Sequence, residues 1–240
     1  MSETLFNIVP TSDRFAPAAM LHVEVIADFV CPFSFLGKRR LDRALQAVQG
    51  PTHRSWYPFQ LNPQMPPEGL PFEQYLQMRF GGRDNIEPVL EHLVDEGRAD
   101  GIHFDFDRIR HVPSTLPAHQ VMQAVEGRGE DAAVLAEGLM SAFFEQGLNI
   151  GEQDVLIDLA ATAGLRADET RAAIGSDVAR QAVVTREAQV RSSGLNAAPG
   201  FLLNRRLLVV GAQPTDKLVN AFDRAMFGEG TDALVSPALH

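Results

Sequence analysis

Hydrophobic and polar residues alternate in two stretches near the start of the chain, and each stretch predicts a β-strand. The first, residues 21–29, reads LHVEVIADF, and the second, residues 53–61, reads HRSWYPFQL. Between them, apolar residues recur at helical spacing over 33–48, and Gly50-Pro51 is expected to end that helix. The order strand, helix, strand predicts a βαβ unit with parallel, right-handed connectivity.

The pattern becomes helical after the second strand and returns to strands near the C-terminal end. Six helices are predicted in this block, over 71–80, 86–97, 114–127, 130–146, 152–164 and 176–193. The sequence IHFDF at 102–106 fits either a short strand or an extended link. Residues 200–204 and 206–210 predict a hairpin that turns at Asn204-Arg205, and 215–227 predict a last helix. Strands at both ends of a helical block indicate one domain inserted into another, with a core sheet of four or five strands.

The composition and charge of the chain argue against several classes of function. The formal net charge is −10 and the 31 acidic residues are scattered, which argues against a nucleic-acid partner. The first residues lack the basic and apolar regions of a secretory signal, and no apolar run approaches the roughly 18 residues of a membrane span. We therefore expect a cytoplasmic protein with no membrane partner.

Residues 1–19 are expected to be a loose extension, with Met20 as an alternative start to Met1. Residues 229–240 are expected to be a tail.

Cys31 is the only cysteine, and it follows the first strand directly and opens the first helix. Pro32 suits the first helical turn, where its missing N–H costs nothing. A thiol at a helix N-terminus faces unpaired N–H groups, so we expect its pKa to lie below the usual value of about 8.5. Ser34, one turn further on, can donate a hydrogen bond to the sulfur. The alternative is a buried cysteine that acts only as a small apolar residue.

Three other features carry weaker signals. Pro199 enters a predicted strand, where proline usually marks an edge, a turn or a bulge. The seven histidines show no HExxH or similar spacing, so no metal site is expected. The basic run from Lys38 to Arg40 lies one turn beyond Cys31 and is expected to be a solvated helix face.

Several segments together resemble the FrnE-like branch of the DsbA oxidoreductase family, from about Leu21 to Phe227. They are CPFSFLG, WYPFQLNPQMPPEG, STLPAH, AFFEQG, AAPGFLLN and VVGAQP. The same fold includes 2-hydroxychromene-2-carboxylate isomerases and kappa-class glutathione transferases.

The resemblance implies an α/β fold, thioredoxin-like with an inserted all-α domain. Residues 20–70 and 195–228 would form the thioredoxin-like domain, and 71–194 the insertion. It also implies that Pro199 is cis and faces Cys31 across a cleft for a thiol substrate.

The chain departs from this family pattern at Ser34, since DsbA-like and FrnE-like enzymes usually carry CxxC. Monothiol exchange through Cys31, with Ser34 and Pro199 as the other catalytic residues, is the favoured function. A glutathione-dependent isomerase or transferase is the second hypothesis, and a binder that captures thiols without turnover is the third. The partner would be a protein thiol or disulfide, or glutathione. No tightly bound cofactor is expected, glutathione is the candidate ligand, and relatives are often homodimers.

Candidate substrate-binding or glutathione-binding residues surround the predicted site. Pro32 and Phe33 follow the cysteine, and Ala198 precedes the proline. Asn62 could hydrogen-bond glutathione or serve only to cap the turn before Pro63. Gln213 stands where the last helix begins, so it could lie beside a bound carboxylate or cap that helix.

Overall fold

The computed structural model describes residues 20–130 and 132–228, together with the backbone of residues 234–235. The elements in chain order are β1 Leu21–Ala27, α1 Pro32–Leu45, β2 Thr52–Pro58, β3 Leu70–Pro71, α2 Phe72–Phe80, α3 Arg83–Ala99, β4 His111–Val112, α4 Leu116–Glu126, α5 Ala133–Phe144, α6 Gln153–Thr162, α7 Ala167–Ile174, α8 Asp177–Ser192, β5 Gly200–Leu203, β6 Leu207–Val210, α9 Thr215–Phe227 and β7 Leu234–Val235.

Five of the described strands form a mixed sheet in the order β2-β1-β5-β6-β7, and β3 pairs with β4 in a separate two-stranded sheet. Strands β1 and β2 pair in parallel from Leu21↔Thr52 onward, as the predicted βαβ unit requires. Strand β5 pairs antiparallel with β1 and with β6. The β5–β6 hairpin turns through Asn204 and Arg205, both with positive φ, and Asn204 is suited to that conformation. The sheet size, the hairpin and the parallel pair therefore agree with the sequence pattern.

The sheet is covered on both faces, because consecutive residues of β1 point to opposite sides. Val25 belongs to the main core, which continues into α1, α9 and the inserted helices. Ile26 instead joins a smaller cluster with Phe59, Val190 and Leu195, so α8 and the segment after it cover the second face. Both faces of β1 are therefore buried near its carboxyl end, and α1, which begins after that end, packs into the main core.

Some predicted elements differ from the observed ones. Helix α7 was not predicted, since its short sequence ADETRAAI buries only Thr170 among its own residues. Strands β3 and β4, two residues each, were also missed, because their pairing joins segments far apart in sequence. Residues 102–105 have no regular secondary structure and residue 106 begins a turn, so this segment is a link and not a strand. Helix α3 begins at Arg83, three residues before the predicted start, and contains Pro88.

Helix α1 is tied to the inserted helices by buried charges, so the expectation of a solvated basic face was wrong. The Lys38 side chain is 4% exposed, and its Nζ lies 2.7 Å from Asp42 and 2.6 Å from Glu137 of α5. Arg40 Nε lies 2.6 Å from Asp100, which follows α3. Glu137 and Asp100 come from distant parts of the chain, so the sequence pattern of α1 alone could not reveal them.

The predicted loose extension, residues 1–19, lies outside the described residues. So does the predicted tail, apart from the backbone of β7, which pairs in parallel with β6 through Val209↔Leu234 and Val210↔Val235. Within the described part of the chain, no helix combines the length and the apolar character needed to cross a bilayer.

Candidate active site

Cys31 is the N-cap residue of α1, and the geometry of the preceding strand places it there. Its φ and ψ are −97° and 113°, so the chain is still extended when the helix begins at Pro32. The Cys31 carbonyl accepts hydrogen bonds from the backbone N–H groups of Ser34 and Phe35 at 3.0 and 3.3 Å. The predicted position of the thiol at the mouth of α1 therefore agrees with the structure.

The thiol faces the loop that enters β5. Cys31 Sγ lies 3.6 Å from the Ala198 carbonyl oxygen, to which it donates a hydrogen bond, and the Ala198–Pro199 peptide bond is cis. Pro199 is held by β6, because its carbonyl accepts a hydrogen bond from Gly211 N–H at 2.8 Å. The structure thus brings Cys31, Ala198 and Pro199 together, although 167 positions separate the sulfur from its acceptor.

The sulfur is closed off from solvent in this conformation. Cys31 is 3% exposed and Ser34 is 1% exposed, whereas Pro32, Phe33 and Ala198 are half-buried around them. The half-buried residues form the only part of this group that a ligand can reach without a rearrangement. A substrate must therefore displace or move past them to contact the sulfur.

Burial raises the pKa of the Cys31 thiol to about 11, so the expectation of a lowered pKa was wrong. Hydrogen bonds from the Ser34 hydroxyl and from the backbone of Ser34 and Phe33 act in the opposite direction, and the negative charge of Asp28 raises the pKa further. The helix start and Ser34 favour the thiolate, as the sequence suggested, but they do not offset the loss of hydration. The thiol is neutral at physiological pH in this conformation.

Asp28 is a site residue that the sequence analysis missed. It follows β1, is fully buried, and accepts hydrogen bonds from the backbone N–H groups of Phe29 at 2.9 Å and Leu61 at 2.7 Å. Its own backbone N–H donates to Ser34 Oγ at 3.4 Å. A carboxylate between two apolar residues, three positions before the only cysteine, was the available signal. Asp28 joins the start of α1 to the segment after β2 and places a negative charge near the thiol.

Two of the predicted binding residues make contacts within the protein. Asn62 Nδ2 donates to the Tyr75 hydroxyl at 3.5 Å, and its backbone carbonyl also accepts a turn hydrogen bond from Met65 N–H. Burial raises the pKa of Tyr75, and the negative charge of Asp28 adds to that effect, which puts Tyr75 in the same electrostatic environment as the thiol. Gln213 Nε2 donates to the Val210 carbonyl at the end of β6, while Pro214 is the N-cap of α9.

A match to a known protein family identifies the class of protein in which this arrangement of residues occurs. The model of the DSBA-like thioredoxin domain matches residues 22–223, which span both ends of the sheet and the whole helical block. This chain belongs to the DsbA-like family. The resemblance to the DsbA family expected from the sequence motifs is therefore confirmed, together with the thioredoxin-like fold.

Individual members and solved structures agree with this assignment. The uncharacterised protein YwbO of Bacillus subtilis is 27% identical over 221 residues, which cover 87% of this chain and 97% of YwbO. The structure of the probable DsbA oxidoreductase from Streptomyces coelicolor is 26% identical with a TM-score of 0.78, covering 88% of this chain and 92% of that one. The fold is also shared with the cytosolic disulfide reductase DsbM from Pseudomonas aeruginosa in its structure with GSH, at 20% identity, a TM-score of 0.59 and coverage of 85% and 95%.

In this DsbA-like site, Gly37 allows α1 to approach the proline loop. A Cβ atom added at Gly37 would lie 2.8 Å from Pro199 Cγ and 3.1 Å from Phe201 Cζ. We expect Gly37→Ala to destabilise the protein by about 1–3 kcal/mol, because overpacking outweighs the gain of about 0.5–1 kcal/mol that alanine brings to a helix. The free energy of unfolding in urea measures the change.

Gly138→Ala in α5 is the matched control for that substitution. A Cβ at Gly138 would meet only the flexible end of Leu159, at 3.3 Å. We expect this variant to be unchanged or stabilised by up to about 1 kcal/mol. Equal stability of the two variants would show that Gly37 does not set the distance between α1 and Pro199.

Proposed function

We propose that this protein is a thiol–disulfide oxidoreductase or isomerase of the DsbA type that works through one nucleophilic cysteine. The observation that carries the proposal is the hydrogen bond from Cys31 Sγ to the Ala198 carbonyl, which holds the thiol beside Pro199, with Ser34 where a second cysteine would stand. The similarity to the Streptomyces coelicolor protein supports the same class of reaction.

The reaction proceeds by two exchange steps, because one thiol cannot store two electrons. The Cys31 sulfur attacks a substrate disulfide, a new Cys31–substrate disulfide forms, and the other substrate sulfur leaves as a thiolate that takes up a proton. Glutathione, as the external thiol, then attacks the substrate sulfur of this mixed disulfide. Cys31 leaves as the reduced sulfur, and the products are the free Cys31 thiol and a disulfide between substrate and glutathione.

The half-buried residues around the sulfur suit the binding of a substrate in an extended conformation. Pro32, Phe33 and Ala198 offer apolar contacts and backbone groups beside the thiol. Binding there must break the hydrogen bond that Ala198 accepts from Cys31, which frees both groups for the substrate. We propose glutathione and protein disulfides as the substrates, and a cytoplasmic location, where glutathione is abundant.

Mass spectrometry of the intact protein with oxidised glutathione tests this function. We expect the wild type to gain one glutathione at pH 8, and Cys31→Ser to gain none, because no other cysteine is present. Addition of reduced glutathione should remove the adduct and regenerate the thiol. A wild type that stays unmodified, although it unfolds and then reacts normally in urea, would contradict the proposal.

Two observations favour a second candidate, a glutathione-dependent isomerase or transferase without redox chemistry. The raised pKa keeps the Cys31 thiol protonated, and the Asn62–Tyr75 pair offers further polar groups to a ligand. In that case, Cys31 would position glutathione as a hydrogen-bond donor. Reversible binding of reduced glutathione, turnover of a chromene-type compound and retention of both by Cys31→Ser would select this candidate. Capture of a thiol partner with no turnover would instead select a binder.

A further inference from the structure

One arginine of α1 joins the inserted helical block to the segment between β6 and α9. The side chain of Arg40 is 14% exposed, and its guanidinium group contacts three acceptors. Nε lies 2.6 Å from Oδ2 of Asp100, the C-cap residue of α3, and Nη2 lies 3.2 Å from Oε2 of Glu96 in the same helix. Nη1 donates a hydrogen bond to the backbone carbonyl of Ala212 at 2.7 Å. Arg40 therefore contacts both parts of the fold at once.

Ala212 belongs to the turn that holds Pro199. Gly211 N–H donates a hydrogen bond to the Pro199 carbonyl at 2.8 Å, and the Gly211 carbonyl accepts one from Gln213 N–H at 2.9 Å. Gly211 has a φ of 84°, in the left-handed region that favours glycine. The turn thus contacts Pro199 through Gly211 and Arg40 through Ala212.

The same series of contacts continues to the thiol. Ala198, whose carbonyl oxygen lies 3.6 Å from Cys31 Sγ, directly precedes Pro199. Hydrogen bonds and covalent bonds therefore connect the sulfur to Arg40 without a gap. Gly37 lies three residues before Arg40 on the same face of α1, and its missing Cβ leaves room for Pro199. Helix α1 thus holds the segment at Pro199 by close packing at one position and by the Arg40 hydrogen bond at the other.

The chemistry of arginine suits it to this position. A guanidinium group is planar and points its N–H groups in fixed directions, so it can hold several acceptors in one arrangement, whereas a lysine ammonium is a compact point charge. The hydrogen bonds of Arg40 to Asp100 and Glu96 are charge-assisted, and such bonds are stronger than neutral ones. Asp100 is 6% exposed and also pairs with Arg43 Nη1 at 2.8 Å, so this carboxylate keeps a partner when Arg40 is replaced.

We propose that Arg40 is a positioning residue, which holds the Ala198-Pro199 segment beside Cys31 and ties that segment to the inserted helical block. The inference rests on the proposed function, in which a substrate replaces the Cys31–Ala198 hydrogen bond. The backbone of Ala198 must stay in place while the substrate contacts it, and Arg40 fixes that backbone through the turn at Gly211. Without Arg40, the segment moves away from the sulfur more easily, so water hydrates the sulfur better and the protein holds a substrate less firmly.

Hydrogen exchange of the Gly211 amide tests this anchor directly, whether or not the protein reacts with disulfides. In the ¹⁵N-labelled protein, we expect Arg40→Met to accelerate this exchange about two- to tenfold, the range that corresponds to the loss of one hydrogen bond. Asn204 N–H, which donates to the His22 carbonyl beyond the other end of β5, is the internal reference and should not change. An unchanged exchange rate at Gly211 would overturn the inference.

The reactivity of Cys31 tests the effect on the sulfur and on the substrate. At pH 8, iodoacetamide should alkylate Arg40→Met at least about threefold faster than the wild type, because better hydration lowers the pKa of the thiol by about half a unit. With oxidised glutathione, the concentration that gives half the maximal rate of adduct formation should rise about two- to tenfold. The maximal rate should not fall, since Cys31 and Ser34 are intact. A lower maximal rate, with the half-saturating concentration and the alkylation rate unchanged, would contradict a positioning role.

Two further variants separate the anchor from a general loss of stability. Arg43→Met is the matched control, because it removes the other ion pair of Asp100 and leaves the Arg40–Ala212 hydrogen bond. It should leave the Gly211 exchange and the alkylation rate unchanged, and an effect equal to that of Arg40→Met would overturn the inference. If Arg40→Met does not fold, Arg40→Lys takes its place, since it keeps a charge beside Asp100 but lacks the planar group. It should show smaller changes in the same direction, and wild-type values would then overturn the inference.

The failure of the proposed function can be told apart from the failure of this inference. A wild-type protein that forms no glutathione adduct would refute the proposed function. The Gly211 exchange and the alkylation rate would still decide whether Arg40 holds the Ala198-Pro199 segment beside the sulfur.

Discussion

Alkylation of Cys31 by iodoacetamide is expected to accelerate about tenfold for each pH unit between pH 7 and pH 10, and to level off near pH 11. The reagent reacts with the thiolate, and burial raises the pKa of this thiol to about 11. At pH 7 only about one molecule in ten thousand then carries the thiolate, since each pH unit below the pKa reduces that fraction tenfold. Intact-mass spectrometry measures the rate without interference, because the chain has no second cysteine.

Two substitutions check the causes of this pH profile. Ser34→Ala removes a hydrogen bond that favours the thiolate, so alkylation at pH 8 should become slower. Asp28→Asn removes a negative charge that disfavours the thiolate, so alkylation at pH 8 should become faster. Opposite changes in the alkylation rate of the two variants would show that the Ser34 hydrogen bond and the Asp28 charge act on the thiol in addition to its burial. A wild-type profile that levels off near pH 8.5 would mean that the thiol is hydrated in solution and that the closed site is not the resting state.

The closed thiol has a consequence for the proposed reaction. A sulfur that is 3% exposed and neutral at physiological pH is protected from small oxidants and alkylating agents. In the proposed reaction we expect it to react once a substrate occupies the cleft and breaks the hydrogen bond to Ala198. Reactivity would then depend on docking, and the single cysteine would remain reduced between turnovers.

The parts of the fold that depend on the local spacing of apolar residues could be predicted from the sequence. Strands β1, β2, β5 and β6 and most helices follow from the spacing of their apolar residues, because each of them buries one side or both sides against the core. Strands β3 and β4 have only two residues each and depend on a pairing between distant segments, so no periodicity marks them. The burial of Lys38 likewise depends on Glu137, 99 positions away.

Those residues of the candidate site that belong to sequence motifs were predictable. Cys31 and Ser34 lie three positions apart at a helix start, and the family resemblance places Pro199 with them. The electrostatics of the site were not predictable in the same way. The helix start and Ser34 suggested a lowered pKa, but burial raises it. That burial involves the loop before β5, whose Ala198 carbonyl lies 3.6 Å from the sulfur and 167 positions away in sequence.

Removal of the Phe144 ring is expected to have the largest effect on stability. Phe144 of α5 is 2% exposed, and its ring centroid lies 5.3 Å from Phe104 and 6.1 Å from Phe35 of α1. Phe144→Ala should lower the free energy of unfolding by about 3–5 kcal/mol, since it removes a buried ring and leaves a cavity. Phe227→Ala, at a position 74% exposed, should change it by less than about 0.5 kcal/mol.

The Phe144 ring connects the helical block to the helix that carries the cysteine, so its loss should affect both parts of the protein. Urea unfolding can be followed by the fluorescence of Trp56, which reports on the sheet, and by circular dichroism, which is dominated by the helices. We expect both midpoints to fall together in Phe144→Ala, and to fall less in Phe144→Leu, which retains most of the apolar volume. If the circular dichroism midpoint falls while the Trp56 midpoint does not, the ring stabilises only the helical block. Since Phe35 lies four residues after Cys31, that result would also mean that the aromatic contacts do not hold the start of α1 in place.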